Sequence, residues 1–569
     1  MSQQIVIIGG VALGPKAACR FKRLEPSSSV TMVDQSALIS YGGCGIPYYV
    51  SGDVSDASEL STTSFHMVRD AEFFHEVKGV DVRTLTQATS IDRENKQVHL
   101  KSMTTGEESV LDYDKLVIAT GANPRKLGLP GEDLEGVNYV CNPDDATRIR
   151  EGIAKGKVGK AVIVGAGFIG LEMAEAFADM WGVETTVVEI TGQIMPRLVS
   201  PALATMGQRH MEENGVNFLF GETVKAIEGE DGHVTRVVTD KRTLEADAVI
   251  IAAGVVPSSD IAKEAGLDVH PRGGVIVDDH MRTNDPDIYA GGDCAIVKNL
   301  ITGSQAYLPL GSMANRQGRV IGTNLAGGDA SFDGVVGSFV VKFFERSLAG
   351  TGMSLEAAKA AGYDAMSVLL IQLDRAHFYP TKELMTLEMV VDKPTRRVLG
   401  VQGFGSTRDA MVGRINAVAA ILKYEPKVED ISNMELAYSP PFAAAMDILN
   451  SLANLADNAL LGINRGVGPD GFKALWDERE NSECFFLDCR EAADAEPFME
   501  RNPGMWHNVP QGQIYDRLSE IPEDKHVVLV CNTGARSYEA QIMLTEKGYK
   551  NVTNVQGGIA SIKNYGVEV

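Results

Sequence analysis

The sequence predicts an α/β protein with two strand–loop–helix units of similar pattern and a separate small α/β layer near its C-terminal end. Residues 5–8 and 161–164 are short β-branched runs, and each run leads into a glycine-rich loop and a helical stretch. Beyond residue 466, short apolar strands alternate with helical stretches, a pattern typical of a layered α/β fold. A chain of 569 residues is too long to fold around a single hydrophobic core, so we expect about three to five domains.

Composition limits the classes of partner. The net charge of −23 argues against binding nucleic acid or an anionic membrane over a broad surface. No apolar run approaches the roughly 18 to 20 residues that span a bilayer, and the first residues lack the basic start of a signal peptide. The seven scattered cysteines suit neither a disulfide framework nor a zinc site. We therefore expect a cytoplasmic protein without a metal, a membrane or a nucleic-acid partner.

The first glycine loop has the order expected of a dinucleotide-binding βαβ unit, although valine occupies the usual middle glycine position. Strand 5–8 leads into the loop, a helical stretch follows over 16–24, and strand 30–33 ends on an acid. In such units the pyrophosphate lies at the helix N-terminus and the carboxylate binds a ribose hydroxyl. The candidate residues are Gly9, Gly10, Val11, Ala12, Gly14 and Asp34.

The second glycine loop keeps all three glycines and precedes a helix predicted over 171–181 and a strand over 185–188. The acid after that strand can accept a hydrogen bond from a ribose 2′-hydroxyl but repels a 2′-phosphate, so NADH is favoured and NADPH is the alternative. The candidate residues are Gly165, Gly167, Phe168, Ile169, Gly170 and Glu189.

Two Rossmann-like units in one chain indicate a bound flavin and a passing nicotinamide. A strand over 116–118 ends in the small-residue turn Ala119, Thr120 and Gly121, which suits a chain that crosses between nucleotide domains. Asp293 follows the pair Gly291–Gly292, where its carboxylate is expected to contact the flavin, to cap a helix, or to do both, since the two roles are compatible.

These motifs, together with the Cys44-Gly-Ile-Pro-Tyr stretch, make residues 1 to about 450 resemble the flavoprotein disulfide reductase superfamily. The resemblance is strongest to its single-cysteine branch, which contains coenzyme A disulfide reductases, NADH oxidases and peroxidases, and persulfide reductases. It implies an FAD domain over 1–113 and 247–325, an NADH domain over 114–246 and an α+β dimerisation domain over 326–450.

Cys44 has no second cysteine in its segment, so its oxidised form needs an external partner or an oxygen atom. The resemblance implies that this thiol lies against the flavin and is the redox centre. The sequence departs from the branch just before this cysteine: the branch often has a Phe-x-x-Cys pattern, whereas this chain has Tyr41-Gly-Gly-Cys44. We interpret Cys19, Cys141, Cys294, Cys484 and Cys489 as packing residues.

The same resemblance suggests further site residues. Tyr379 and Tyr438 match tyrosines that reach the partner subunit's cysteine in this branch, and a phenol placed there protonates a leaving thiolate. Tyr379 is the weaker match, because Thr381 replaces the family's glycine; both tyrosines also suit a dimer core. Arg20, Lys22 and Arg23 match the patch that binds coenzyme A phosphates, although basic residues on such a helix more often form a solvated face.

After a predicted helix and linker over 451–466, residues 467–569 form a separate α/β layer. Cys531 begins the loop Cys-x-x-Gly-x-Arg-Ser after strand 527–530. Backbone amides, a helix N-terminus and Arg536 all stabilise an anionic sulfur at that position. The segment resembles a rhodanese (sulfurtransferase) domain, with Asp488-Cys489-Arg490-Glu491 in place of its Asp-x-Arg-Glu motif; an inactive docking domain is the alternative.

Together these features predict a homodimeric FAD enzyme that uses NADH to reduce sulfur–sulfur bonds in coenzyme A disulfide, coenzyme A persulfide or polysulfide. Coenzyme A is then a substrate or a bound carrier, and Cys531 handles sulfane sulfur. One alternative is an NADH oxidase or peroxidase that cycles Cys44 through sulfenic acid. Another is a sulfur or redox sensor without turnover.

Overall fold

The structure, a computed structural model, describes residues 2–407, 409–481 and 483–569. The chain forms two compact units. The first unit comprises Met1–Ile190 and Gly221–Val335, and the second comprises Thr191–Phe220 and Val336–Val569. Over the described ranges, no helix combines the length and the apolar character needed to cross a membrane.

The first unit contains a five-stranded parallel sheet built around the first glycine loop. In spatial order its strands are Ile288–Ala290, Lys115–Ile118, Gln4–Ile8, Ser29–Val33 and Asp81–Arg83. The helices Leu13–Leu24 and Gly311–Leu325 pack closely, because Gly318 and Gly322 let the second helix approach the backbone of the first. The buried core of this region includes Ile5, Ile7, Phe21, Met32 and Val117.

A second parallel sheet of the first unit is built around the second glycine loop. Its strands within this unit are, in order, Glu184–Glu189, Lys160–Val164, Ala248–Ile251 and Val137–Asn138. The helix after the loop is Phe168–Ala178, so the predicted helix over 171–181 was three residues late at both ends. Helical geometry begins directly after Gly167, which is why the loop and the helix N-terminus coincide.

Smaller elements complete the first unit. The helices are Ile46–Ser51, Ala71–Lys78, Pro143–Ala154 and Asp260–Glu264. The strands Ala122–Pro124 and Val255–Pro257 form an antiparallel ribbon. Two three-stranded sheets are antiparallel: one consists of Thr86–Asp92, Gln97–Ser102 and Glu108–Asp112, and the other of Val224–Glu230, His233–Thr239 and Thr243–Glu245. A further three-stranded sheet is mixed: Val275–Ile276 runs parallel to Ala295–Lys298, which pairs antiparallel with Gln305–Ala306.

The second unit contains a five-stranded antiparallel sheet. Its strands are, in order, Phe339–Phe343, Arg346–Gly352, Val398–Ser406, Leu384–Asp392 and Ala365–Leu373. The strand Val216–Phe220 also belongs to this unit. The helices of this part are Pro201–Glu213, Leu355–Ala360, Asp409–Ile421, Val428–Ser432 and Ile448–Leu460.

The C-terminal part of the second unit is a parallel sheet with helices around it. The strand order is Gly466–Val467, Val552–Val555, His526–Val530, Cys484–Asp488 and Trp506–Asn508. The helices are Pro469–Asp477, Ala492–Arg501, Ala535–Glu546 and Gly558–Tyr565. One side of the sheet packs on an aromatic core that contains Phe472, Trp476, Phe486 and Trp506.

Within the second unit, the C-terminal sheet region docks on the antiparallel sheet. The backbone N–H of Leu369, on the edge strand Ala365–Leu373, donates to Oε1 of Gln556 at 3.0 Å. The guanidinium of Arg209 also lies against Gly566, and the side chains of Thr205 and Tyr565 share a hydrogen bond.

Candidate active site

The first glycine loop brings a strand, a helix and an acid into close contact. Gly9 has a φ of +114°, and a Cβ on it would lie 2.1 Å from the carbonyl oxygen of Ala119. A Cβ on Gly14 would lie 1.9 Å from the carbonyl oxygen of Gly9, so both positions require glycine. The backbone N–H of Gly10 donates to the Asp34 carboxylate at 2.7 Å, which fixes the acid beside the loop.

The second loop repeats this geometry. Gly165 has a φ of +109°, and a Cβ on Gly170 would lie 2.0 Å from the carbonyl oxygen of Gly165. The backbone N–H of Ala166 donates to the buried Glu189 carboxylate at 2.8 Å. A Cβ on Gly167 would meet no atom of the described chain within 4 Å. The protein's own packing therefore does not require a glycine at the middle position, which explains how Val11 is accommodated in the first loop.

Ala119 and Asp293 lie beside the first loop, on neighbouring strand ends. Ala119 directly follows the strand Lys115–Ile118, and Asp293 lies in the single turn Gly292–Cys294. The carboxyl of Asp293 caps no helix, so the capping interpretation is wrong. Among the described residues it has no hydrogen-bond partner, and its partial burial raises its pKa. Among the described residues, the buried hydroxyl of Tyr307 has no hydrogen-bond partner either. Burial, followed by the charge of Asp293, raises the pKa of this hydroxyl.

The donors and acceptors around the first loop fit the polar part of a flavin nucleotide. Asp293 supplies a carboxylate, Tyr307 supplies a hydroxyl, and the loop supplies backbone N–H groups at a helix N-terminus. A neighbouring small-residue turn is held in place because the Thr120 hydroxyl donates to the carbonyl of Ser258 and the Ser258 N–H donates to the carbonyl of Gly121.

Cys44 lies in the single turn Gly43–Gly45, before the helix Ile46–Ser51, and is exposed. The backbone N–H of Gly311, the first residue of the helix Gly311–Leu325, donates a hydrogen bond to its sulfur. This helix N-terminus favours the thiolate. Desolvation and the carboxylates of Glu172 and Asp293 oppose that effect, and the pKa of the Cys44 thiol is raised as a result.

The charge of Glu172 is itself sensitive to pH. Burial, followed by the neighbouring Glu175 carboxylate, raises the pKa of Glu172 to about 7, although a hydrogen bond from Tyr48 works in the opposite direction. Tyr48 lies on the helix that follows Cys44, and Glu172 lies on the helix that follows the second loop. Our interpretation of the sequence missed Glu172: its place two residues after Gly170 puts it next to the second loop, but nothing in the sequence places it beside Cys44.

The segments that carry Tyr379 and Tyr438 meet in the second unit. The backbone N–H of Ala376 donates to the carbonyl of Pro440 at 3.3 Å, and the guanidinium of Arg414 donates to carbonyls in both segments. A cavity of about 450 Å³ lies beside them, and its lining includes Arg375, Arg414, Pro441 and Phe442. Tyr438 is 52% exposed.

The three basic residues of the first helix differ in their contacts. The ammonium of Lys22 donates to the carbonyls of Pro26 and Ser28, and the guanidinium of Arg20 donates to the hydroxyl of Thr323. Arg23 is exposed. Lys22 therefore already stabilises the end of its own helix, and Arg20 and Arg23 are the stronger candidates for a phosphate.

Cys531 is 1% exposed and lies at the N-terminus of the helix Ala535–Glu546. The backbone N–H of Gly534 donates to its sulfur at 3.2 Å, and the Ser537 hydroxyl lies 3.3 Å from the same sulfur. Arg536, on the first turn of that helix, is partly exposed. The loop thus surrounds the sulfur with donors that stabilise an anion. Ser537 belongs to the quoted motif, but its role was not predicted.

The remaining cysteines do not all pack in a core. Cys294 and Cys489 are buried, and Cys19 and Cys484 are half-buried, but Cys141 is exposed, so its interpretation as a packing residue is wrong. Its thiol lies 3.3 Å from the carboxylate of Asp145. Desolvation of the sulfur and that carboxylate together raise the pKa of Cys141 to about 12, although the residue as a whole is exposed, so its thiol stays protonated at neutral pH.

Comparison with known families identifies three regions of the chain. Residues 3–318 match the pyridine nucleotide-disulphide oxidoreductase family, more than half of the chain. The chain belongs to this family of oxidoreductases. Residues 338–449 match the dimerisation domain of the same family, and residues 472–565 match the rhodanese-like domain. The two parallel sheets, the dimerisation domain and the rhodanese-like domain confirm the predicted fold class.

Individual relatives span most or all of the chain. An "NAD(P)H sulfur oxidoreductase (CoA-dependent)" of Pyrococcus abyssi is 36% identical over 80% of this chain and 98% of its own length. The structure of an NAD-dependent persulfide reductase from A. fulgidus is 37% identical, with a TM-score of 0.92, over 98% of this chain and 99% of that one. Reduced Bacillus anthracis CoADR-RHD is 31% identical, with a TM-score of 0.89, over 99% and 98%.

Proposed function

We propose that this protein is a homodimeric FAD enzyme that uses NADH to cleave sulfur–sulfur bonds in coenzyme A disulfide, coenzyme A persulfide or polysulfide. The observation that carries the proposal is the position of Cys44. This exposed residue accepts a hydrogen bond on its sulfur from the N–H of Gly311 at a helix N-terminus, close to the carboxylate of Asp293. The fused Cys531 loop supports sulfane sulfur as the substrate class, because an oxidase of the same family has no use for a buried sulfur carrier.

In the reaction that we propose, the Cys44 thiolate attacks one sulfur of the substrate and forms a mixed disulfide or persulfide. The second sulfur leaves as a thiolate and takes a proton from the hydroxyl of Tyr438 or Tyr379 of the partner subunit. FAD and NADH, when bound, supply the two electrons that return Cys44 to its thiolate. That reduction breaks the bond between Cys44 and the first substrate sulfur, so both sulfurs of the substrate leave as thiol or sulfide.

The two glycine loops hold the cofactors. For FAD we assign Gly9, Gly10, Val11, Ala12, Gly14, Asp34, Ala119, Thr120, Gly121 and Asp293. For NADH we assign Gly165, Gly167, Phe168, Ile169, Gly170 and Glu189. The Glu189 carboxylate, held in place by the N–H of Ala166, is the reason for choosing NADH over NADPH, because it repels a 2′-phosphate.

Arg20 and Arg23 are the proposed contacts for the phosphates of coenzyme A, with Lys22 in a supporting role because its ammonium is engaged by backbone carbonyls. The net charge of −23 makes a local basic patch necessary for an anionic substrate. The dimerisation domain and the exposed Phe378, Phe442 and Met446 around the tyrosines support a homodimer.

Anaerobic stopped-flow mixing tests the proposal. NADH-reduced enzyme is mixed with coenzyme A persulfide, coenzyme A disulfide, polysulfide, oxygen or peroxide, and flavin absorbance is followed. We expect fast reoxidation by one of the sulfur substrates and a loss of at least about a thousandfold with Cys44→Ser, since the nucleophile is then absent. Cys141→Ser is the matched control, because that residue is exposed but its thiol stays protonated at neutral pH. Reoxidation only by oxygen or peroxide would instead identify an oxidase or peroxidase.

A further inference from the structure

Cys489 and Cys531 are neighbours at the ends of two adjacent strands in the rhodanese-like domain. Each residue directly follows its strand, Cys484–Asp488 or His526–Val530. The last paired residues in the parallel register are Asp488 and Val530. The backbone N–H of Cys489 donates to the carbonyl of Val530 at 2.8 Å, the bond that a parallel ladder makes when residue 489 lies opposite residue 531.

The two side chains also point to the same face of the sheet. Phe485, Leu487 and Cys489 alternate along one strand and share a buried cluster with Val527 and Leu529 of the other strand. By the same alternation the next position on that strand, residue 531, faces this side.

The spacing of the two strand ends permits a bond between these cysteines. Adjacent strands lie about 4.8 Å apart, within the roughly 4.4 to 6.8 Å that separates the Cα atoms of a disulfide. Cys489 is 0% exposed and Cys531 is 1% exposed. The two thiols can therefore react with each other without a reagent entering from solvent.

We propose that Cys489 is a resolving thiol that releases sulfide from a persulfide on Cys531. This proposal rests on the assignment of Cys531 as a sulfane carrier. In the step, the Cys489 sulfur attacks the inner sulfur of the Cys531 persulfide. A Cys489–Cys531 disulfide forms, the bond to the outer sulfur breaks, and that sulfur leaves as HS⁻ with the proton of the Cys489 thiol. The outer sulfur is reduced to sulfide, and the two cysteine sulfurs are oxidised to a disulfide.

The surroundings of Cys489 determine how readily its thiol loses a proton. Burial, the neighbouring Cys531 and the Asp488 carboxylate raise the pKa of the Cys489 thiol well above its usual value. Because the thiolate is the nucleophile, this raised pKa slows the attack, and the position of Cys489 directly opposite Cys531 is what favours it. The N–H of Gly534 and the hydroxyl of Ser537 meanwhile hold the Cys531 sulfur in its loop.

Two molecules of a low-molecular-weight thiol then reset the domain. They reduce the internal disulfide to two thiols and become one molecule of disulfide. That disulfide is of the class that we propose Cys44 reduces, so the electrons for sulfide release come ultimately from NADH. The rhodanese-like domain thus becomes a second site of sulfur–sulfur bond cleavage, and not only a carrier.

The test uses the full-length holoenzyme with Cys44→Ser, so that sulfide cannot arise at the flavin. The protein is treated with thiosulfate, without NADH or added thiol, and sulfide is measured together with the alkylated peptide masses. We expect one sulfide per loaded chain and a cross-linked pair of peptides containing Cys489 and Cys531. With Cys489→Ser added, we expect the extra sulfur atom to stay on Cys531 and sulfide release to be lost. Cys484→Ser, at the start of the same strand, is the control and should release sulfide normally.

The outcomes separate the two proposals. If Cys531 never gains a sulfur atom, the sulfane role in the proposed function is wrong. If Cys531 gains the sulfur atom but the chain with Cys489 intact releases no sulfide and shows no cross-linked peptides, the resolving role alone is overturned. The peptide map of the chain with Cys489 intact decides this point even if Cys489→Ser does not fold.

Discussion

At the residue scale, opposing fields act on the Cys44 sulfur. The N–H of Gly311 and the helix dipole behind it favour the thiolate, an effect of about 0.3 to 2 kcal/mol in proteins. Desolvation and the charges of Glu172 and Asp293 act against it and prevail, since the pKa of the thiol is raised. Because the pKa of Glu172 is about 7, one of these charges changes near neutral pH.

This pH sensitivity predicts the effect of Glu172→Gln. The carboxyl of Glu172 is charged above about pH 7 and raises the pKa of Cys44 there, whereas protonation below that pH removes the effect. Glu172→Gln removes the charge at every pH. We therefore expect the alkylation midpoint of Cys44 to move to lower pH by up to about one unit.

Peptide mass spectrometry of iodoacetamide-treated enzyme, sampled between about pH 6 and 10, measures this midpoint. The control is Glu151→Gln, which removes a fully exposed carboxylate paired with Lys155. An unchanged midpoint in the Glu172→Gln enzyme would show that the carboxylate does not act on the thiol.

At the scale of elements, the two strand–loop–helix units differ in sequence but share one backbone geometry. Gly14 and Gly170 each allow the helix to approach the first glycine of the loop, so that a Cβ would overlap a carbonyl oxygen. Gly167 has open space beside it. Close helix–strand packing therefore requires the third glycine, whereas the middle glycine is needed only where a pyrophosphate approaches.

This difference predicts contrasting effects of alanine at two positions of one loop. We expect Gly170→Ala to lower the free energy of unfolding by about 1 to 3 kcal/mol, because its Cβ collides with backbone. Gly167→Ala should change stability by less than about 0.5 kcal/mol. It should nevertheless raise KM for NADH about tenfold, since the methyl group stands where the pyrophosphate approaches.

Denaturant unfolding and steady-state kinetics with varied NADH measure the two effects on the same preparations. Equal losses of stability in both variants would contradict the roles assigned to the two glycines. An unchanged KM for NADH in Gly167→Ala would contradict the binding of the nicotinamide nucleotide at this loop.

At the scale of the whole molecule, the rhodanese-like domain packs against the antiparallel sheet of the second unit and is not joined to it by a linker alone. Gln556 accepts the N–H of Leu369 from an edge strand, and Arg209 and Thr205 contact the last helix. An unpaired edge of a sheet is prone to unwanted pairing, so covering it stabilises the unit. Gln556 also precedes the turn whose Ile559 N–H donates to the carbonyl of Cys531 at 2.8 Å.

This contact predicts the effect of Gln556→Ala. The buried N–H of Leu369 loses its acceptor, at a cost of about 1 to 3 kcal/mol. We expect hydrogen exchange in the peptide that contains Leu369 to become about ten- to hundredfold faster. Gln513→Ala, at an exposed position of the same domain, is the control and should leave that peptide unchanged. Unchanged exchange in Gln556→Ala would mean that the docking does not depend on this side chain.

Local patterns predicted much of the site. Glycine spacing located both nucleotide loops to within three residues, because the turn, the helix start and the acid are all encoded within about 30 residues. Cys531 was identifiable for the same reason, since its donors Gly534 and Ser537 follow it within six residues. Gly311 could not be predicted as a partner of Cys44, because the two residues are far apart in the sequence. Their contact depends on how the helix Gly311–Leu325 packs against the turn that holds Cys44.

The sequence by itself determined the α/β class, the two glycine loops and the two reactive cysteines, because each depends on residues close together in the chain. Only the tertiary structure placed Glu172 beside Cys44, Gln556 against the edge of another sheet, and Cys489 opposite Cys531. These relations come from strand register and helix packing between distant segments. They are fixed by the free energy of the whole fold and leave no local pattern that a reader of the sequence could recognise.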